Sequence, residues 1–388
     1  MLNFKYHIPT IIYFGKGEIE KLSSELSSRA KNILIVTGQG SIKKYGILDD
    51  VLNEVKKARV KSFELSGIKP NPRLASVYEG IKICQENNID LVLAVGGGSV
   101  IDASKAIAAG VKYNGDVWDL FLGKGQIGDA LPVASVLTLA ATGSEMNGNS
   151  VVTREDRKQK LVISHPKLRP VFSILDPEYT YSVNEFHTAA GIADIMTHIF
   201  EQYFSHTKSA FVQDRVAESL LRVCIKYGPI VCKEPENYEA RANILWASSL
   251  ALNGLLGYGK LCDWACHGIE HELSARYDIS HGAGLAVIVP NWMEYILSEN
   301  TVEKFFEYGV GVWGIESKKD KRWVALEAIK TTRKFFSFLD LPTRLRDFDV
   351  KLDSAADVAK GVFSSWGEAG SFKKLSIDDV EKILEMCS

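Results

Sequence analysis

The hydrophobic pattern changes character near residue 178, and this change outlines the fold. Before that point, continuous apolar runs such as Asn32–Thr37 (NILIVT) and Asp90–Val95 (DLVLAV) alternate with stretches of helical spacing. Such runs are typical of strands that are covered on both faces, and each of these two is followed by a glycine-rich turn. Strand, turn and helix in this order indicate βαβ units and a parallel sheet. Further strands are predicted over residues 61–65, 132–139, 150–153, 160–164 and 171–175.

After Asp176-Pro177 the strand pattern fades and apolar residues recur at helical spacing. Helices are predicted over residues 189–204, 210–227, 238–256, 261–277, 284–297, 321–339 and 377–386. The sequence therefore predicts an α/β dinucleotide-binding domain over residues 1–178 and an all-α domain over residues 179–388.

Composition narrows the class of protein. The chain has 388 residues, of which 46% are hydrophobic and 24% charged, and this excludes an intrinsically disordered or collagen-like chain. With 46 basic and 48 acidic residues, it has no general attraction to nucleic acid or to anionic membranes. We see no membrane span and no signal peptide. Six cysteines are too few for a disulfide framework in a chain of this length, so we expect reduced thiols and a cytoplasmic protein.

A glycine loop, Gly96-Gly97-Gly98-Ser99, closes one predicted strand and opens a predicted helix. The first N–H groups of a helix lack internal partners, and glycines allow a pyrophosphate to approach them closely. Ser99 could cap the helix or donate to a phosphate. The loop is not G-x-G-x-x-G, so a tight strand-to-helix turn without a ligand remains an alternative.

A second glycine turn, Gly38-Gln39-Gly40-Ser41, follows the strand Asn32–Thr37. In many dinucleotide folds an acidic residue at such a strand end binds the ribose 2′-hydroxyl. No acidic residue stands here, and Lys43 and Lys44 lie just beyond. The turn therefore permits a 2′-phosphate and hence NADP, although solvated lysines in a plain loop would give the same pattern.

A group of histidines in the second half predicts a metal site. Asp194 and His198 are four residues apart in a helical pattern, and so are His267 and His271, with His281 following. A carboxylate with several imidazoles is a good ligand set for a divalent transition metal. Cys262 and Cys266 could instead join the neighbouring histidines in a structural zinc site. We favour small buried hydrophobes for these two cysteines.

Taken together, these motifs resemble those of the iron-containing (group III) alcohol dehydrogenases, and in particular their butanol dehydrogenase branch. The resemblance covers nearly the whole chain. The motifs that carry it are Gly96–Ser99 with Asp102, Ala141-Thr142-Gly143-Ser144-Glu145-Met146-Asn147, Asp194-x3-His198, and the run from Trp264 through His271 to His281-Gly282-Ala283-Gly284.

The resemblance implies roles for individual residues. It implies Asp194, His198, His267 and His281 as metal ligands, and it places His271 close to substrate and nicotinamide. It also implies a set of cofactor-binding residues: Gly38, Gly40, Ser41, Gly97, Gly98, Ser99, Asp102, Thr138, Thr142, Asn147 and Lys160.

The family fold is a Rossmann-like parallel-sheet domain followed by a helical domain, as in dehydroquinate synthase. The implied reaction is reversible hydride transfer between NADP(H) and a primary alcohol or aldehyde such as butanol or butanal. The implied cofactors are Fe(II), with Zn(II) as the alternative, and NADP, with NAD as the alternative. A homodimer is also implied.

Three other functions stay open at this point. An NAD-dependent glycerol dehydrogenase-like enzyme would share these motifs. A dehydroquinate synthase-like lyase would need a cluster of basic residues for a phosphate, which is not evident in the sequence. A non-catalytic metal- or nucleotide-binding protein would bind NADP tightly without turnover of any aldehyde, and the intact ligand set argues against it.

His271 is expected either to relay a proton or to orient His267.

Overall fold

The computed structural model describes residues 1–348 and 354–388. It divides into two compact units. We call them the sheet unit (His7–Asn184 with Pro235–Ser249) and the helical unit (Met1–Tyr6, Glu185–Glu234 and Leu250–Ser388). These units do not follow the predicted domain limits at residues 178 and 179 everywhere, because Met1–Tyr6 packs with the helices and Pro235–Ser249 with the sheet. The domain limits themselves stay a prediction.

A six-stranded parallel sheet forms the centre of the sheet unit. Its strand order is β1-β8-β5-β4-β2-β3, and every neighbouring pair is parallel. The strands of the unit are β1 (Ile11–Phe14), β2 (Asn32–Gly38), β3 (Lys61–Ile68), β4 (Leu91–Gly96), β5 (Val133–Leu137), β6 (Asn149–Arg154), β7 (Gln159–Ser164) and β8 (Phe172–Leu175).

Apolar side chains fill both faces of this sheet, as the continuous runs predict. Leu34 and Val36 of β2 belong to one hydrophobic cluster, whereas Ile33 and Ile35 belong to a second cluster on the opposite face. Helices cover both faces, which explains why the central strands lack polar alternation. The helices of the unit before residue 184 are α1 (Lys21–Arg29), α2 (Ser41–Lys44), α3 (Ile47–Ala58), α4 (Leu74–Asn87), α5 (Gly98–Lys112) and α6 (Val117–Phe121).

The predicted strands at 150–153 and 160–164 do form, but they do not join the main sheet. As β6 and β7 they pair with each other in an antiparallel two-stranded ribbon. β6 packs against α5, the helix that begins at the glycine loop. The ribbon therefore carries the segment 141–149 back towards that helix.

The second unit is built from helices, in agreement with the sequence pattern. Outside the helices, its described residues contain one isolated bridge, between Ala369 and Leu375. None of the described helices is both long and apolar enough to cross a lipid bilayer. The helices after residue 184 are α7 (Glu185–Tyr203), α8 (Phe211–Lys233), α9 (Tyr238–Ala251), α10 (Ala265–Tyr277), α11 (His281–Ile296), α12 (Val302–Gly311), α13 (Lys321–Phe338), α14 (Ala355–Trp366) and α15 (Ile377–Met386).

Two helix boundaries near the histidines differ from the prediction. α9 ends at Ala251 rather than near residue 256, and α10 begins at Ala265 rather than near residue 261. Gly254 and Gly259 lie between them with φ of 104° and 78°, which is a left-handed backbone that interrupts a helix. α11 begins at His281 itself.

The carboxyl ends of β2 and β4 mark the place where chain connections diverge. The chain leaves β2 for the outer strand β3 on one side, and leaves β4 for β5 on the other. Ligands of open α/β sheets bind outside the strand ends at such a switch point. Both glycine turns follow these two strands, so the topology brings them to one edge of the sheet.

Candidate metal centre and dinucleotide loop

Three imidazoles of the helical unit converge on one carboxylate oxygen. Oδ1 of Asp194 lies 3.4 Å from Nδ1 of His198, one turn further along α7. The same oxygen lies 3.7 Å from Nε2 of His267 on α10 and 3.6 Å from Nε2 of His281 on α11. The structure thus brings together all four residues that the sequence predicts as metal ligands.

Three of these four atoms are buried and have no hydrogen-bond partner in the described part of the chain. Oδ1 of Asp194, Nδ1 of His198 and Nε2 of His267 are all buried, and none has a hydrogen-bond partner among residues 1–348 and 354–388. Buried polar atoms nearly always have a partner. A carboxylate oxygen and imidazole nitrogens that face one another without one fit a divalent cation between them.

Two of these groups, His198 and Asp194, have the protonation state that a metal requires. Burial lowers the pKa of His198 to about 4, against the opposing effect of Asp194, so this imidazole is neutral near pH 7. Burial alone would raise the pKa of Asp194, but the imidazoles of His198 and His281 outweigh it and hold the pKa well below its usual value. An ionised carboxylate and a neutral imidazole are the protonation states that bind transition metals.

Two buried glutamates orient the ligands, and sequence reasoning missed both. Glu201 accepts from Nδ1 of His267, and Glu270 makes the same contact with Nδ1 of His281. A carboxylate on Nδ1 fixes the tautomer that presents Nε2 to a metal. A signal was available for Glu201: it lies seven residues after Asp194, on the same face of α7.

Glu201 also shapes the helix that carries His267. Its Oε1 accepts from the backbone N–H groups of Cys266, at 2.6 Å, and His267, at 3.3 Å, in the first turn of α10. A carboxylate at this position satisfies N–H groups that have no partner within the helix. One side chain therefore fixes both the start of α10 and the ring of His267.

Gly282, the residue after His281, sets the distance between α11 and α7. A Cβ at this position would lie 2.0 Å from the carbonyl oxygen of Ala190, so no residue with a side chain fits there. Glycine is therefore required for His281 to come so close to the helix that carries Asp194. The His-Gly pair in the sequence reflects this backbone contact.

His271 lies beside the four converging side chains. Its ring centroid is 5.5 Å from that of His281 and 6.2 Å from that of His267. With Glu270 and His281 it forms a second group of residues that could hold a cation. The ring of Trp366 meets it edge-on at 5.3 Å.

The zinc site that Cys262 and Cys266 could have formed is not assembled. Neither cysteine belongs to a group of potential metal ligands in the described part of the chain. Burial raises the pKa of the Cys266 thiol well above its ordinary value, which disfavours the thiolate. All six cysteines of the protein are free thiols.

In the sheet unit, the glycine loop is shaped by close contacts. α5 begins at Gly98 directly after Gly97, and the first turn has no side-chain cap. A Cβ on Gly98 would lie 2.4 Å from Oγ1 of Thr142, and one on Gly97 would lie 3.2 Å from Leu139. The segment after β5 therefore lies directly against the start of α5, and Gly98 leaves no room for a side chain.

The second turn likewise depends on glycine. β2 ends at Gly38, and Gly40 follows with φ of 135° before Ser41 begins α2. No acidic residue lies between Gly38 and Leu48. The end of β2 therefore offers no carboxylate to a ribose.

The other predicted cofactor residues lie around α5. Thr138 directly follows β5 and donates its backbone N–H to the carbonyl of Gly96 at 3.1 Å. Asp102 is buried, and its two carboxylate oxygens accept from the Ser144 hydroxyl, at 2.6 Å, and from the Val151 N–H, at 3.0 Å. In this structure Asp102 secures the segment that carries Thr142.

Asn147 and Lys160 are also buried in the sheet unit. The Asn147 side-chain amide donates to the carbonyl oxygen of Gly143 at 2.9 Å, so it too braces the 142–149 segment. Lys160 lies on β7 of the two-stranded ribbon. Roles in cofactor binding for these residues remain predictions.

Comparison with known protein families gives matches over both the α/β part and the helical part of the chain. Residues 9–177 match the family model described as iron-containing alcohol dehydrogenase, and residues 188–387 match the C-terminal model of the same family. The chain belongs to the iron-containing alcohol dehydrogenase family. The predicted family, fold class and enzyme class are thereby confirmed, and the family's name agrees with the predicted iron.

Individual members of this family are similar over their full length. The chain is 51% identical to NADH-dependent butanol dehydrogenase A of Clostridium acetobutylicum, covering 99% of both chains. It is 42% identical to the NADPH-dependent aldehyde reductase YqhD of Escherichia coli, covering 90% of this chain and 89% of the other. Among solved structures, NADH-dependent butanol dehydrogenase A of Thermotoga maritima superposes with a TM-score of 0.96 at 37% identity, covering 100% and 99% of the two chains.

Proposed function

We propose that this alcohol dehydrogenase interconverts a short primary alcohol and its aldehyde, such as butanol and butanal, by hydride exchange with NADP(H). The observation that carries the proposal is the buried convergence of Asp194, His198, His267 and His281 in a chain about half identical to proteins named butanol dehydrogenases. A ligand set of this kind suits substrate activation by a Lewis acid.

In this mechanism Asp194, His198, His267 and His281 would hold Fe(II), and Zn(II) is the alternative. When bound, the metal supplies Lewis acidity that stabilises negative charge on a substrate oxygen, and the dinucleotide supplies or accepts the hydride. Glu201 and Glu270 hold the rings of His267 and His281 in the orientation that presents Nε2. Gly97, Gly98 and Ser99 would bind the pyrophosphate at the start of α5.

We assign His271 the role of proton relay to the substrate oxygen, because its imidazole lies beside the ligand histidines. His271→Ala should lower turnover while the iron content stays near one per chain, as measured by metal analysis of the purified protein. Loss of iron from this variant would instead make His271 a ligand. Unchanged turnover would show that it does neither.

The choice of NADP over NAD rests on the end of β2, where no carboxylate opposes a 2′-phosphate. NAD is the second candidate, because relatives at 47–51% identity are named NADH-dependent. Comparison of kcat/KM for NADPH and NADH with butanal separates the two. A preference for NADH would leave the reaction intact and overturn the dinucleotide assignment.

The decisive assay is anaerobic reconstitution of metal-free protein with Fe(II), followed by measurement of NADPH and NADH consumption with butanal. Rapid consumption of either dinucleotide supports the proposal. Activity with glycerol and NAD but not with butanol would favour the polyol dehydrogenase alternative. Iron binding without oxidation of either dinucleotide by any aldehyde would overturn the proposed reaction. Air-stable activity with tightly bound zinc would overturn the choice of iron.

We further propose a cytoplasmic homodimer. The N-terminal segment lies against the helical unit, where the Leu2 N–H donates to Gly259 at 2.9 Å, and it leaves Phe4 about half exposed. At the start of α8, where Gln213 contacts Met1 of this segment, Phe211 and Val212 are 68% and 63% exposed. Apolar side chains exposed together are typical of an interface. Sedimentation analysis should give a dimer, and Phe211→Glu should shift it towards monomer.

A further inference from the structure

A buried ammonium in the sheet unit stands outside the mechanism above. Lys105 lies two turns into α5, and its side chain is completely buried. Burial lowers its pKa to about 8, against the carboxylates of Asp102 and Glu145, so it still carries charge near pH 7. A buried charge is costly unless it is paired and fully hydrogen-bonded. The hydrogen-bond partners of Lys105 therefore indicate its role.

All the partners of Lys105 lie in one irregular stretch of chain. Its Nζ donates to the Ser144 hydroxyl at 2.7 Å, to Oδ1 of Asn147 at 3.2 Å and to the carbonyl oxygen of Asn149 at 2.8 Å. An ammonium has three N–H donors, and here each has an acceptor. The segment 142–149, an irregular stretch that ends at the first residue of β6, is thus tied to α5 at three points.

A second contact strengthens this attachment. The Ser144 hydroxyl that accepts from Lys105 donates in turn to Asp102, one turn earlier on α5. Asp102 also accepts from the backbone N–H of Val151, in β6 just beyond the segment. Charged hydrogen bonds of this kind are stronger than neutral ones and hold a defined geometry. The segment is therefore fixed to the same helix whose first residues form the glycine loop.

The position of this segment determines the space above that loop. Thr142, at its beginning, packs so closely on Gly98 that a single Cβ would collide with its hydroxyl. A shift of the segment by a fraction of an ångström would change the gap that a pyrophosphate must enter. Misplacement on this scale is known to reduce binding and catalysis strongly.

We infer that Lys105 is a positioning residue for the dinucleotide: it holds the 142–149 segment against the start of α5 so that the glycine loop is preformed. This inference rests on the proposed function for the identity of the ligand. Lys105 does not touch the reacting atoms, because its three donors are used by Ser144, Asn147 and Asn149. Its removal should therefore weaken dinucleotide binding and leave the aldehyde and the metal unaffected.

The test compares Lys105→Met with Lys112→Met, a substitution at the exposed end of the same helix. In iron-loaded enzyme, Lys105→Met should raise the KM for NADPH or NADH at least tenfold. The kcat at saturating dinucleotide, the KM for butanal and the iron content should stay within about threefold of wild type. Lys112→Met should match wild type throughout. A merely structural role would lower the melting temperature and the active fraction without changing the KM for the dinucleotide, and that result would overturn the inference.

Ser144→Ala keeps the inference testable if Lys105→Met does not fold. It removes one acceptor from Lys105 and one donor from Asp102, and it should raise the dinucleotide KM about threefold. An unchanged KM in this variant would also overturn the inference. Direct titration of the iron-loaded proteins with NADPH and NADH, followed by nicotinamide fluorescence, separates the two proposals. If wild type binds dinucleotide but reduces no aldehyde, the proposed reaction fails while the comparison of dissociation constants still tests Lys105.

Discussion

Replacing Glu201 by glutamine should change how metal affinity depends on pH. Burial alone would lower the pKa of His267, but the carboxylates of Glu201 and Asp194 outweigh it and raise the pKa to about 10 in the metal-free protein. His267 therefore carries a proton at pH 7, and a metal must displace that proton from Nε2 to bind. The affinity should rise with pH because the competing proton becomes easier to remove.

The size of this effect follows from the pKa. Displacing a proton from a group with a pKa of about 10 at pH 7 costs about 4 kcal/mol of apparent binding free energy. The cost falls by about 1.4 kcal/mol, or tenfold in affinity, for each pH unit up to about pH 10. Glu201→Gln removes one of the two carboxylate charges that hold the proton on His267, so this contribution to the slope should decrease. The substitution also removes the carboxylate partner of His267, and the loss of such a partner typically lowers metal affinity about 10–100-fold.

The measurement is competition between the protein and a chelator for Fe(II) under anaerobic conditions, from pH 6.5 to 8.5. The slope of log affinity against pH should be smaller in Glu201→Gln than in wild type, since other ionisations are common to both. Glu218→Gln is the matched control, because Glu218 is also a buried glutamate of the helical unit but bonds Tyr203. Equal slopes in wild type and Glu201→Gln would show that Glu201 does not hold the competing proton on His267.

Three further predictions concern the same two sites. Glu270→Gln should lower iron affinity about 10–100-fold, by chelator competition, because His281 loses its orienting carboxylate. Gly282→Ala should reduce iron content and lower the free energy of unfolding by about 1–3 kcal/mol in denaturant titration, because its Cβ would meet the Ala190 carbonyl at 2.0 Å. Gly98→Ala should raise the KM for the dinucleotide without reducing iron content, because its Cβ would push Thr142 out of place.

Matched glycine substitutions control these predictions. Gly268→Ala, on α10, adds a Cβ whose nearest neighbour is 3.7 Å away, and it should leave iron content unchanged. Gly128→Ala adds a Cβ with nothing within 4 Å and should leave the dinucleotide KM unchanged. If these controls behave like Gly282→Ala and Gly98→Ala, the effects are not due to the close contacts described above.

Local patterns in the sequence were sufficient to predict most of the fold. The apolar runs at β2 and β4 predicted buried parallel strands, and the glycines after them predicted tight turns into helices. The spacing of Asp194 and His198 predicted two side chains on one helix face. The division of helices between residues 252 and 280 was less accurate, because Gly254 and Gly259 interrupt a region whose apolar residues still recur at helical spacing.

The partners of the predicted residues were beyond the reach of sequence reasoning. Glu201 and His267 are 66 residues apart, and Lys105 is 39 residues from Ser144. No periodic pattern connects positions on different elements. The sequence therefore placed Glu201 on the same helix face as Asp194 but not against His267, and it showed Lys105 only as a helix lysine. The strands β6 and β7 were predicted, but their pairing with each other depends on contacts across the chain.

The sequence by itself determined the elements and the chemistry available to this protein, because hydrophobic period, glycine turns and side-chain type are local properties. It set out the parallel sheet, the helical half, the glycine loops and the histidine-carboxylate group. Tertiary structure alone decided which charges are buried together and which buried atoms lack partners. Those features determine the protonation state of His267, the orientation of His281 and the position of the segment over Gly98, because electrostatic interactions in a dry interior depend on distances that only the folded chain sets.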